Sequence, residues 1–139
     1  MANKTRVLIL CTANSARSQM AEGLLRADHG DRCIVQSAGT RQTDVRPEAI
    51  AVMKEIGIDL SGHRSKVVGE FADESFDYVL TVCDNAKESC PIFPGHGNRI
   101  HHRFEDPAAV EGSEEERLAS FRKVRDEIRE YLKTFVSRF

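Results

Sequence analysis

Residues 6–18, Arg6-Val7-Leu8-Ile9-Leu10-Cys11-Thr12-Ala13-Asn14-Ser15-Ala16-Arg17-Ser18, decide the fold of this chain. The run from Arg6 to Leu10 is short, rich in β-branched and aliphatic residues and uninterrupted. Such a run reads as a strand buried on both faces, the pattern of a parallel sheet. A polar loop follows, and from Gln19 to about Asp28 good helix formers carry Met20, Leu24 and Leu25 at helical spacing. Strand, tight polar loop and helix in succession form a site for an anion. Backbone amides of the loop turn inward, and the helix N-terminus adds positive potential.

The residues of this loop suit chemistry on a tetrahedral oxyanion. Arg17 can grip two oxygens with its planar fork. Thr12, Ala13, Asn14, Ser15 and Ala16 contribute the amides between Cys11 and Arg17. The same positive field favours the thiolate of Cys11, since a cysteine thiol of ordinary pKa, about 8.5, is lowered in such surroundings. Ser18 can donate a hydrogen bond to that sulfur and assist its departure. Asn14 can tie the loop with its side chain.

Working outward, residues 32–38 read as a second strand ended by Gly39. Pro47 opens a second helix with Ala49, Met53 and Ile56 on one side, and Gly57 fits its C-terminal cap. Residues 76–82 form a third strand ending at Cys83, and residues 98–102 a short fourth. The last helix carries the clearest pattern. Ser113 and Glu116 make a capping box, and Glu114 and Glu115 complement the helix dipole. Leu118, Phe121, Val124, Ile128, Leu132 and Phe135 recur at intervals of three and four, a stripe that packs on a sheet. Alternating strands and helices predict an α/β fold, a four-stranded parallel sheet flanked by helices in a single domain over residues 1–139. Ligands of such sheets bind beyond the carboxyl ends of the strands, where Cys11 and Cys83 lie.

The 139 residues carry a formal net charge of −2, which does not point to nucleic-acid binding. The charge is uneven: 10 Lys/Arg against 7 Asp/Glu in residues 1–66, and 10 against 15 in residues 67–139. A mildly basic N-terminal half suits a small anionic substrate. The apolar run near the N-terminus is too short for a signal peptide, and no stretch approaches the ~18 apolar residues of a membrane span. A cytoplasmic protein without membrane contact is expected. In a reducing cytoplasm Cys11, Cys33, Cys83 and Cys90 rest as thiols. Cys33, between Arg32 and Ile34, reads as a core thiol. Cys83 and Cys90 have three readings: a redox pair, two inert buried thiols, or zinc ligands with His96, His101 or His102. Their spacing fits no usual zinc pattern.

The stretch CTANSARSQMAEG (11–23) resembles the N-terminal signature of the low-molecular-weight tyrosine phosphatase superfamily, in the form found in thioredoxin-coupled arsenate reductases. The likeness continues through SAGT (37–40), PEAI (47–50), IDLSGHRS (58–65), FDYVLTVCD (76–84) and FEDPA (104–108). The resemblance implies an oxidoreductase that converts arsenate to arsenite through three cysteines. Cys11 attacks, Cys83 and Cys90 collect the electrons as a disulfide, and thioredoxin or a related thiol reduces it. The Asp106-Pro107 turn implies Asp106 as general acid. No cofactor and no metal are implied, phosphate is expected to compete, and a monomer is expected. If residues 84–90 are helical in the reduced state, they rise about 10 Å, beyond disulfide reach of roughly 4.4–6.8 Å between Cα atoms. A rearrangement of residues 83–97 and an exposed disulfide are therefore expected.

Two other readings remain open at this point. A low-molecular-weight phosphatase working through a Cys11 phosphoenzyme uses the same loop and Asp106, and some phosphatase activity is expected in either enzyme. A non-catalytic oxyanion sensor would need neither Cys11 nor Asp106. Phosphatases of this superfamily carry aromatic residues after the Asp-Pro pair, whereas Ala108, Ala109 and Val110 follow here. Two departures from the reductases stand out. Ala16 replaces a cysteine found in many members, which should lessen oxidative inactivation. Some members also bind potassium near the loop. Asn14, Glu22 and Ser37 match that site, but Arg64 and Lys66 stand where a Thr and an Asp are usual. One of these two cations is expected to replace the ion beside Glu22.

Overall fold

The computed structural model describes residues 4–84, 91–93 and 95–139. The chain runs β1 (Thr5–Leu10), α1 (Arg17–His29), β2 (Cys33–Ala38), α2 (Pro47–Lys54), β3 (Tyr78–Thr81), β4 (Asn98–His101) and α3 (Glu114–Phe135). Short 3-10 turns lie at Val68–Phe71, Pro107–Ala109 and Val136–Arg138. The strands form one sheet in the order β2-β1-β3-β4, and every pairing is parallel. This is the predicted four-stranded α/β sheet.

Central position explains the composition of β1. Val7, Leu8, Ile9 and Leu10 are fully buried. Successive side chains of a strand point to opposite faces. Val7 and Ile9 join the larger core with residues of all three α-helices, while Leu8 and Leu10 join Phe71, Phe76, Val79 and Phe93 on the other face. Burying each such aliphatic side chain is worth about 1.5–3 kcal/mol relative to exposure. The three long helices thus cover one face. Phenylalanines from the 68–76 and 91–93 segments cover the other, with the Phe76 ring edge-on to both Phe71 and Phe93.

The helix signals hold with small shifts at the ends. Ser113 and Glu116 form the capping box of α3, whose buried face includes Phe121, Val124, Ile128, Leu132 and Phe135. In α2 the buried face is Ala49, Val52 and Met53, with Ile56 packed at its edge. Gly57 adopts φ +79° just past the helix, a conformation that favours glycine. α1 begins at Arg17, two residues earlier than predicted. β3 is shorter than predicted, because Phe76 leaves the strand to pack on Phe71 and Phe93. Among the described residues no helix is long and apolar enough to cross a membrane.

Candidate active site

Three carboxyl-terminal strand ends converge. The loop after β1 carries Cys11, the segment after β3 carries Cys83, and the segment after β4 leads to Asp106. The bond from Val82 N–H to the Leu10 carbonyl, 2.9 Å, extends the β1–β3 pairing to the edge of the sheet. It sets Cys11 and Cys83 on adjacent chains in one buried cluster.

The loop is held from outside. The Thr12 carbonyl accepts from Thr40 N–H at 2.8 Å, and the Ala13 carbonyl from the Thr43 and Ser65 hydroxyls at 3.0 Å each. The Asn14 carbonyl accepts from Gln19 Nε2 at 3.1 Å, and the Ser15 carbonyl from Arg46 N–H at 2.8 Å. Four successive carbonyls of the loop are thus held by the surrounding chain. Gly39, in the SAGT stretch, makes this closeness possible. A Cβ there would lie 2.6 Å from the Thr12 carbonyl oxygen and 2.9 Å from that of Cys11.

Asn14 is the internal tie. It is fully buried and holds a left-handed φ of 50°. Its Nδ2 donates to the Ser18 and Ser37 hydroxyls at 2.8 and 2.9 Å. Its Oδ1 accepts from Lys66 N–H and Gln19 Nε2 at 2.8 and 2.9 Å. Because the Ser18 oxygen accepts from Asn14, its own proton is left to be donated elsewhere.

Behind this tie sits a buried ion pair. Glu22 Oε1 lies 3.1 Å from Lys66 Nζ and accepts the Ser37 hydroxyl at 2.6 Å, while Oε2 accepts from Arg26 at 2.9 Å. Burial by itself would raise the Glu22 carboxyl. The Ser37 hydroxyl, Lys66 and Arg26 together outweigh it and hold the group below the ordinary carboxylate range. Arg64 points elsewhere and pairs with Glu70 at the surface, 2.7 Å away. Of the two candidate counter-charges, Lys66 is therefore the one at Glu22. An ammonium already seated on this carboxylate does not fit a potassium site made from the same oxygens.

Arg17 is almost fully buried, and its Nη1 donates to the Phe104 carbonyl at 3.1 Å. Sequence reading gave no sign of this anchor, because a backbone carbonyl has no residue signature. Asp106 is half-buried, and its Oδ1 accepts from Ala108 N–H at 3.0 Å, fixing the turn that Pro107 begins. Cys11, the loop, Arg17 and Asp106 line one small cavity of about 130 Å³. Ala108 lines it too, and none of its lining residues is aromatic. Arg41 and Arg46 also reach it. Neither had a sequence signal, since both belong to an irregular polar stretch whose path only the fold sets.

Cys83 is fully buried and disulfide-bonded. The expectation of an exposed disulfide is thus not met at this sulfur, because the β3 end lies beneath the neighbouring chains. A disulfide sulfur is also no thiolate ligand for zinc. His101 Nδ1 lies 2.6 Å from the Thr81 hydroxyl, and His102 stacks on Tyr131 at 3.9 Å between ring centroids. Cys90 and residues 85–89 and 94 of the span expected to rearrange lie outside the described residues. Cys33 is buried at the far end of β2, and its thiol donates to the His29 carbonyl at 3.3 Å. Burial pushes that thiol up. It is a core thiol distant from the loop.

Known proteins resemble this chain in sequence and fold. The chain is 46% identical over 133 residues to an arsenate reductase of Halalkalibacterium halodurans, covering 96% of each. It is 44% identical over 135 residues to an arsenate reductase of Bacillus subtilis, covering 97% of this chain and 96% of that one. A solved arsenate reductase in its reduced state superimposes with a TM-score of 0.76 at 30% identity, over 96% of this chain and 98% of that one. A low-molecular-weight protein tyrosine phosphatase from T. tengcongensis gives the same TM-score at 25% identity, over 98% and 100%. Residues 6–139 match the family described as low molecular weight phosphotyrosine protein phosphatase, and the chain belongs to it.

Proposed function

We propose that this protein is an arsenate reductase that works by a three-cysteine relay. The Cys11 thiolate attacks arsenic(V) in the loop. A sulfur–arsenic bond forms, an arsenic–oxygen bond breaks, and the oxygen leaves as water with a proton from Asp106. Arg17 and the loop amides hold the remaining oxygens as charge develops. The Cys83 thiolate then attacks the Cys11 sulfur. A disulfide forms, the sulfur–arsenic bond breaks, and its electron pair stays on arsenic. Arsenic(III) departs as arsenite, its oxygens protonated by water. The Cys90 thiolate next attacks the Cys83 sulfur, releases the Cys11 thiolate and closes Cys83–Cys90. Two thiols have lost two electrons and arsenate has gained them, with no cofactor needed.

The observation that carries this reading is the burial of Cys11 beside Cys83, with Cys83 in disulfide form. The names of the relatives support it. Ser18 donates to the Cys11 sulfur in the same scheme, and Thr12, Ala13, Asn14, Ser15 and Ala16 supply the amides. Thioredoxin or a related thiol closes the cycle. A relay that is reset by a thiol reductant suits the cytoplasm, and we infer a monomer there with phosphate as a competing anion.

A phosphatase reading is favoured by the cavity itself, since Cys11, Arg17 and Asp106 serve phosphoryl transfer equally well. Arsenate-dependent NADPH consumption with thioredoxin and its reductase separates the two. A reductase loses turnover in Cys83→Ser and Cys90→Ser yet keeps activity on small aryl phosphates. A protein indifferent to both substitutions is a phosphatase only, and one with neither activity is a sensor.

A further inference from the structure

The segment that carries Cys83 is stitched to the segment that leads to Asp106. The His102 and Phe104 amides donate to the Thr81 and Val82 carbonyls at 2.9 and 3.2 Å. One residue past Cys83, the Asp84 carboxylate is nearly fully buried and lies 3.0 Å from Arg103 Nε. Arg103 in turn precedes Phe104, whose carbonyl holds Arg17. A short covalent and ionic path therefore joins the second sulfur of the relay to the arginine of the anion loop.

Loop chemistry alone gives this pair nothing to do. Asp84 and Arg103 do not line the cavity of Cys11, and Arg103 is half exposed. The pair instead acts on position. The strand pairing runs as far as Val82, whose amide bonds to Leu10. Beyond that point the Asp84–Arg103 pair is one fastening of the chain. A buried carboxylate that loses a cationic partner is disfavoured and drawn toward water, and Cys83 would be carried with it.

We propose that Asp84 and Arg103 are positioning residues that hold Cys83 as the stationary member of the relay, at the distance from Cys11 that the second step requires. The pair is present while Cys83 is disulfide-bonded. The step it serves is attack of the Cys83 thiolate on the Cys11 sulfur. There the sulfur–sulfur bond forms and the sulfur–arsenic bond breaks, with the electron pair retained by arsenic. Small misplacements of reacting groups cost large factors in rate. This inference rests on the relay reading.

The test uses the Cys90→Ser protein, in which the relay stops at the Cys11–Cys83 disulfide. Mass spectrometry follows that disulfide after one addition of saturating arsenate, and aryl phosphatase activity is assayed on the same reduced preparations before arsenate is added. Adding Arg103→Gln should slow disulfide formation about tenfold, and Arg103→Lys should restore most of it. Phosphatase activity, which does not use Cys83, should stay within about twofold. An unchanged disulfide rate overturns the proposal. An equal fall in both activities also overturns it, since Arg103 then merely supports the loop. If the Cys90→Ser parent itself forms no Cys11–Cys83 disulfide, the relay reading fails and this inference with it, and the failure is recognised because the parent is already silent.

Discussion

Lys66 Nζ stands 3.1 Å from Glu22 Oε1, with less than a tenth of either side chain exposed. This ammonium does locally what a bound cation would do. It neutralises a carboxylate that, through Ser37 and Asn14, braces the anion loop. Removing it leaves a buried charge supported by Arg26, Ser37 and, 3.5 Å away, the His63 ring. Lys66→Ala should therefore lower stability by about 3 kcal/mol, at the low end for a broken buried pair. Urea denaturation measures this. Wild-type turnover should be equal in potassium and sodium chloride at matched ionic strength. Steep activation by potassium would refute the ammonium's role.

Acid should unfold the protein in two stages. Burial pushes the His63 imidazole below its ordinary value, against the pull of Glu22. Its contacts, with Gln19 Oε1 2.9 Å from Nδ1 and Arg26 3.3 Å from Nε2, suit a neutral ring. The unfolded chain then binds a proton near pH ~6.5 that the folded chain refuses. Stability from His63 is present above that pH and is lost as pH falls through the lower folded value. Glu22 behaves likewise around a lower point. Its contribution is present above about pH 4.3 and is lost as pH falls through its depressed folded value. His63→Asn should remove the first decline and Glu22→Gln should flatten the second, both read from melting temperature against pH.

Arg17 works through its shape as well as its charge. Its fork is buried and aligned by the Phe104 carbonyl. Lys cannot reproduce two parallel donors and a third contact from one planar group. Arg17→Lys should lower kcat/KM for arsenate and for aryl phosphates alike, by about a hundredfold or more. Retention of either activity within tenfold would show that charge alone suffices.

Gly39 admits no side chain, since the nearest atoms to an added Cβ are all backbone. Backbone cannot move aside as a flexible side chain can. Gly39→Ala should cost about 2 kcal/mol and weaken phosphate binding, measurable by urea denaturation and by phosphate protection of Cys11 from alkylation. A variant with normal stability would show that the loop relaxes freely.

Much of this was legible in the linear order of residues. The aliphatic run before Cys11, the capping box at Ser113 and Glu116, and the apolar stripe of α3 are local patterns. Each states its structure without reference to distant chain. The loop was legible for the same reason, as its amides, its cysteine and its arginine lie within seven consecutive residues. Sequence alone determined a parallel α/β sheet with an anion site at the end of its first strand.

Tertiary structure decided the rest, because the deciding contacts join residues far apart in the chain. Whether Lys66 or Arg64 meets Glu22 depends on the path of residues 58–68, which no periodicity governs. The Phe104 anchor of Arg17, the arrival of Arg41 and Arg46 at the cavity and the Asp84–Arg103 pair all come from parallel strands ending side by side. A strand end has a fixed neighbour only once the sheet order β2-β1-β3-β4 exists. That order, set by long-range packing, brings the second sulfur beside the first.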